Sequence, residues 1–280
     1  PPTTGFIVRA VCALRRFPYV AYAPDLWSDA MESMTSPGVV KRAVRMLERS
    51  VYRGARLTLS VSSGITERLE KWICAERIAT VGNGIDTSVF ERAGASHDLG
   101  VPYLLYAGTA SEFQGASIFV DAFNTIADAQ PDARIVFLGQ GSEFDAIRAA
   151  AAQRADGRIE VFDRVSPAEA AQWLRGARAT LVSIRPGQGY DFTKIYASLA
   201  SGVPVIFAGT GAARELVDSH QLGWTSRYEA ADIALAMTQA FSAPIQPARA
   251  EKLAQWVERS ASLSAIATSA VSAIERVLKP

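Results

Sequence analysis

Short apolar runs of four to six residues alternate along the chain with longer stretches whose apolar positions recur every three or four residues. The first texture predicts buried strands and the second amphipathic helices. Residues 5–15 read as the end of a helix, and residues 18–23 (PYVAYA) as a short strand followed by the polar loop 24–29. Val40, Ala43, Val44, Leu47 and Val51 place a helix over 38–54. Strands are expected at 56–61 and 78–81, with a helix between them from Ser62 or Ser63 to about Cys74. A small, polar stretch over 91–102 reads as a linker.

Beyond the linker the alternation is cleaner. Strands are predicted at 103–107, 133–138, 159–162, 179–184 and 203–207. Helices are predicted at 116–129, 142–154, 167–176, 192–201, around Glu215 and Leu216, at 229–241, and as one long helix over 247–278. Pro167 is well placed in a first helical turn. Repeated strand–helix units imply parallel sheets in an α/β fold. Ligands of such sheets bind beyond the carboxyl ends of the strands. The segments to inspect are therefore 108–115, 139–142, 163–167, 185–194 and 208–214.

Composition narrows the function. The 280 residues are 49% hydrophobic and 20% charged, the balance of a folded globular chain rather than a disordered one. Net charge is +1, which argues against a dedicated nucleic-acid binder. Two cysteines (Cys12, Cys74) and two distant histidines (His97, His220) exclude a disulfide framework and a multi-thiolate or multi-histidine metal site. No run is long and apolar enough to span a membrane. The chain opens without Met, in what reads as a helix already under way, so it is expected to begin inside a larger protein. Charge is also segregated. Residues 1–56 carry nine Lys or Arg against four acids, and Lys41, Arg45, Arg49 and Arg53 share one helix face. That face reads either as a solvated basic surface or as a dock for anionic lipid.

The strand-end segments carry the candidate chemistry. Gly108 and Gly115, Gly139 and Gly141, and Gly187 and Gly189 ahead of Lys194 fall in three of them. Glycines let backbone approach a phosphate closely, and helix N-termini present unpaired N–H groups to anions. Together these describe a site for an anionic, nucleotide-linked ligand, although each Gly–X–Gly also serves as an ordinary turn. Lys194 adds a full charge where the helix dipole opposes it, which favours a functional role. Arg164 and Arg185 stand at strand ends within reach of phosphate or base.

At these residues the chain resembles family 4 glycosyltransferases. Tyr103–Gly108 with Gln114-Gly115 is similar to the first strand and loop of their nucleotide-sugar domain, and Val136–Ser142 to the next strand and glycine turn. Thr193–Tyr196 with Leu199–Ile206 resembles their donor-binding helix and following strand, and Asn83–Asp86 with Phe90 the segment between their domains. The resemblance implies a GT-B fold of two Rossmann-like parallel-sheet domains, the first incomplete here. Residues 1–88 would form a partial acceptor-side domain, 89–244 the nucleotide-sugar domain, and 245–280 a helix crossing back. It implies a retaining, metal-free transfer of a hexosyl or N-acetylhexosaminyl group from a UDP- or GDP-sugar, with no separate cofactor. Gln114-Gly115 and Thr193-Lys194 resemble the branch acting on lipid-linked glycans and on O-antigen or capsule sugars.

The chain departs from the family pattern at four positions. Two acids expected eight residues apart fall on Gly189 and Ala197, and two expected cations fall on Thr109 and Gln114. Three readings follow. Lys194, Thr193 and backbone N–H groups replace the missing side chains, or Asp191 or Glu215 contacts the donor hydroxyls, or nucleotide is bound poorly and the chain is inactive. The expected donor site is thus Gly108, Thr109, Gln114, Gly139, Gly141, Arg164, Arg185, Gly189, Thr193, Lys194 and Glu215, with Lys194 catalytic through stabilisation of the departing diphosphate. On the acceptor side, Asp25 and Trp27 lie in a stretch resembling one found in relatives that act on polyprenyl-linked acceptors; the plain alternative is a loop with a packing tryptophan. The expected enzyme is cytoplasmic, peripheral on the inner face of the plasma membrane, with a glycan or polyprenyl-linked acceptor and no nucleic-acid partner. The alternatives are a non-catalytic nucleotide-sugar or glycan-binding protein on the same fold and, less closely matched, a sugar-nucleotide epimerase.

Overall fold

The structure is a computed structural model that describes residues 2–33, 37–154, 156–186 and 193–278. Residue contacts divide the chain into two units, residues 1–83 with 264–280, and residues 84–263.

In the first unit, α1 (Pro2–Arg15) leads to β1 (Val20–Ala23), α2 (Trp27–Ser33), α3 (Gly38–Gly54), β2 (Leu57–Ser60), α4 (Ser63–Glu70) and β3 (Ile78–Thr80). The strands form a parallel sheet in the order β1-β2-β3, with Val20 beside Leu57 and Thr58 beside Ile78. One face packs Ala21 and Ala23 against Tyr52, Ile65 and Leu69. The other buries Leu57 and Leu59 with Val81 and Ala273. The expected loop at 24–29 is shorter than its polarity suggests, because α2 starts at Trp27. The amides of Trp27 and Ser28 donate to the Glu48 carboxylate of α3 at 2.7 and 3.0 Å, satisfying N–H groups that a helix start otherwise leaves unpaired. Ser62 caps α4, its hydroxyl accepting the Ile65 amide at 3.3 Å. That helix stops at Glu70, short of Cys74, and the chain turns so that Ile73 enters the core.

The second unit contains β4 (Tyr103–Thr109), α5 (Ile118–Ile126), β5 (Arg134–Gln140), α6 (Phe144–Arg154), β6 (Ile159–Phe162) and α7 (Pro167–Gly176). It continues with β7 (Ala179–Ser183), α8 (Thr193–Ala200), β8 (Val205–Ala208), α9 (Ala212–Ser219), β9 (Gly223–Ser226), α10 (Ala230–Ser242) and α11 (Pro247–Ser260). Among the described residues its sheet has six parallel strands in the order β6-β5-β4-β7-β8-β9. The near-continuous apolar strands β4, β5, β7 and β8 are buried on both faces over most of their length, as the inner strands of a parallel sheet require. Tyr106, Phe119, Phe123 and Phe137 fill one side with α5 and α10, and Ile195, Leu199, Phe207 and Val257 fill the other with α8 and α11. The chain runs β4 to β6 in one direction and resumes on the far side of β4 with β7, which makes a switch point beyond the ends of β4 and β7.

Two expectations are corrected. The edge strand β9 was not predicted; four residues, GWTS, are too few to show a period. The long helix over 247–278 is two helices, α11 and α12 (Leu263–Leu278). Ile85 donates to the Ala261 carbonyl at 2.9 Å and accepts the Leu263 amide at 3.0 Å, so strand-like pairing takes the backbone groups that would have continued the helix.

Candidate functional site

A cavity of about 480 Å³ lies in the second unit at the carboxyl ends of β4 and β5, bounded by β7, α7 and α8. Its walls differ in chemistry. Leu138, Val165, Pro167, Ala170 and Leu174 form an apolar slot beside α7. Thr109, Gln140, Arg164, Thr193 and Lys194 form a polar rim with two cations, and among the described residues no lining residue is acidic.

Backbone packing builds that rim. Gly108 and Gly139 are register partners on β4 and β5. Gly139 has φ +150°, and a Cβ there would collide with the Gly108 carbonyl, so glycine is needed for the strands to stay together at this point. Gly141 sits just as closely against the Ala110 backbone. These glycines therefore have a structural task as well as leaving open backbone at the cavity wall. Lys194 stands in the first turn of α8, its ammonium 5.8 Å from the centre of the Tyr106 ring. On the next turn, Ala197 presents only a methyl group to the cavity, while the Ser198 hydroxyl is taken up by the Lys194 carbonyl at 3.0 Å and by Thr180 at 2.5 Å. Burial pushes the pKa of the neighbouring Tyr196 hydroxyl up to about 12.

Of the expected donor residues, Gly108, Thr109, Gly139, Arg164, Thr193 and Lys194 line this cavity. Gln114, Gly141, Arg185 and Glu215 do not. The Gln114 side chain closes its own loop, accepting the Ser111 amide at 3.0 Å and the Ser111 hydroxyl. Glu215 is exposed on α9. Gly189 and Asp191 lie outside the described residues. Arg185 pairs with Glu143 at 3.0 Å beside the Tyr228 ring. Sequence reasoning singled out neither Glu143 nor Tyr228. The only signal for Glu143 was an acid two residues beyond the Gly139–Gly141 turn. The Tyr228 hydroxyl donates to the Gly115 carbonyl at 2.7 Å, and burial pushes its pKa above the usual tyrosine value against the lowering effect of Arg185.

Asp25 and Trp27 come together in the first unit, on a cavity of about 350 Å³ between α1, β1 and α3 that also includes Tyr22, Glu48 and Tyr52. Tyr52 is held well above the usual tyrosine range by burial, with the carboxylates of Glu48 and Asp25 adding to the effect. No group of three or more potential metal ligands is found among the described residues. Among the described residues no helix is long and apolar enough to cross a membrane.

Solved structures of similar fold share little sequence with this chain. HepE of Anabaena, solved with UDP, superposes with a TM-score of 0.79 at 14% identity, covering 99% of this chain and 77% of HepE. The lipopolysaccharide outer core galactosyltransferase WaaB gives 0.69 at 15% identity over 98% of this chain and 80% of its own. Sucrose-phosphate synthase of Thermosynechococcus elongatus gives 0.71 at 15% identity over 98% and 72%. These likenesses place the chain in the GT-B fold. No curated protein matches it in sequence. The family model described as glycosyl transferases group 1 matches residues 101–243, just over half of the chain, a stretch that contains all of β4 to β9. The chain belongs to the group 1 glycosyl transferases.

Proposed function

We propose that this chain transfers a sugar from a nucleoside-diphosphate sugar, with retention, in the manner of the family 4 enzymes it resembles. The carrying observation is the 480 Å³ cavity that joins an apolar slot to a cationic rim at the strand ends. A nucleobase suits the slot and a diphosphate suits the rim, where Lys194 and the first N–H groups of α8 face developing negative charge. When a nucleoside diphosphate departs, stabilising its charge is the main task, and Lys194 is the group assigned to it. The UDP held by HepE makes a UDP-sugar the first donor to test, with a GDP-sugar second. The transferred group is proposed to be hexosyl or N-acetylhexosaminyl.

The acceptor is proposed to be a glycan or a polyprenyl-linked sugar. Asp25 is able to accept a hydrogen bond from a hydroxyl, and Trp27, 46% exposed, offers a ring face for a sugar or lipid. Ile7, Val11, Leu14, Val39 and Met46 are exposed on α1 and α3, and α3 also carries the exposed Arg42, Arg45 and Arg49. Apolar and basic side chains together support docking on an anionic membrane surface at its cytoplasmic face.

Calorimetric titration with UDP, GDP and ADP, followed by release of nucleotide from the matching sugar donor, tests the reading. Selective binding of one nucleotide and turnover of its sugar are expected. Absence of binding by all three overturns it. Binding without turnover would instead favour the non-catalytic sugar-nucleotide binder, a second reading supported by the bare methyl of Ala197 at the cavity wall.

A further inference from the structure

Glu143 is a carboxylate whose side chain is only 10% exposed, in the turn between β5 and α6. Its Oε2 accepts the Ala116 amide at 2.5 Å and its Oε1 accepts the Arg185 guanidinium at 3.0 Å. Its own amide donates to the Ala110 carbonyl at 3.2 Å. One residue thus clamps both ends of the 110–116 loop, which begins directly after the cavity-lining Thr109. Arg185 reinforces the tie, since its amide donates to the Phe113 carbonyl at 3.0 Å within the same loop. Its side chain remains 46% exposed.

Two donors converge on Glu143, and a carboxylate accepts from both at once. A glutamine there presents one acceptor and one donor, so one of the two ties must break. A buried charge is costly unless hydrogen-bonded and paired, as this one is. Of the three strands joined here, β4 and β5 carry the cavity at their carboxyl ends and β7 lines it with Thr180, Leu181 and Val182.

We propose that Glu143 is a positioning residue for the anionic end of the ligand: with Arg185 as its partner it fixes the 110–116 loop that follows Thr109 of the cationic rim, without touching the ligand itself. The proposal rests on the donor-site reading above. It separates the roles within that site. Phosphate recognition depends on Glu143, whereas the apolar slot beside α7 does not.

The test compares wild type, Glu143→Gln, Arg185→Gln and the double variant. UDP, GDP and ADP are titrated by calorimetry, and the matching nucleosides are measured by saturation-transfer NMR. Glu143→Gln and Arg185→Gln are each expected to weaken the preferred diphosphate roughly tenfold, because releasing the 110–116 loop displaces the rim that meets the phosphates. The nucleoside is expected to bind unchanged, and the double variant no more weakly than the weaker single one. Equal weakening of nucleoside and diphosphate would mark a merely structural role and overturn the proposal. So would an unchanged diphosphate affinity, or two effects that multiply. If Glu143→Gln does not fold, Glu143→Asp, which keeps the charge and shortens its reach, gives the same comparison. Failure of the wild type to bind any nucleotide sinks the donor-site reading and this proposal together; wild-type binding indifferent to Glu143 sinks this proposal alone.

Discussion

The side chain of Lys194 runs across Gly108, so closely that a Cβ on Gly108 would come within 2.7 Å of the lysine Cε. The end of β4 and the start of α8 are therefore fitted to each other at the cavity's cationic rim. Gly108→Ala meets this contact and a backbone at φ +132°, where a Cβ is strained. We expect it to lower stability by about 1–2 kcal/mol and to displace the lysine. Diphosphate affinity should fall by roughly tenfold, the effect of about 1.4 kcal/mol. Urea denaturation beside calorimetry checks both. Unchanged affinity with lowered stability would show that the lysine's placement does not matter.

Lys194→Met keeps the apolar stem and removes the charge. Binding of UDP or GDP should weaken by about 10- to 100-fold, the range expected for one charge-assisted contact. Its dependence on salt should also flatten. Stability should hold or rise by a few tenths of a kcal/mol, because a cation at a helix N-terminus opposes the dipole. A variant that binds as wild type does would remove Lys194 from the site.

Glu48 holds the start of α2 through the amides of Trp27 and Ser28. Glu48→Ala leaves both without that acceptor, next to the cavity that contains Asp25 and Trp27. A loss of about 1–3 kcal/mol is expected, together with faster hydrogen exchange of the Trp27 and Ser28 amides. Slow exchange in the variant would show that the helix start is held by other means.

Tyr196 is raised from 10.0 to about 12 by burial. The sign follows from the protons bound. Between pH 10 and 12 the unfolded tyrosine ionises while the folded one stays neutral, so the unfolded state gains and stability falls as pH rises through this window. Two units correspond to about 2–3 kcal/mol at the upper end. Tyr196→Phe should therefore lose less stability between pH 9 and 12 than wild type. An identical pH profile by chemical denaturation would contradict the assignment.

Much of the fold was legible in local pattern. Pro167 in a first helical turn predicts α7 at the bounds it adopts, because a first-turn proline acts within a few residues. The cavity's position followed from strand–helix alternation, which makes strand ends the open side of the sheet. Other features were not legible. The break between α11 and α12 is made by Ile85, far away in the chain, and α2 starts where Glu48 supplies an acceptor from α3. Arg185 reads in sequence as a strand-end cation, yet its partner Glu143 lies 42 residues away.

The sequence by itself determined the parallel α/β architecture, most of the succession of elements and the glycine and lysine positions at the strand ends. These follow from periodicity, caps and backbone freedom, which are properties of near neighbours. Only the tertiary structure decided which strand-end groups share the cavity and which are engaged elsewhere. It turned Gln114 back onto Ser111, left Glu215 exposed on α9, and set Lys194 over Gly108. Those outcomes depend on which strands become neighbours, and the order β5-β4-β7 brings together residues that no local pattern relates.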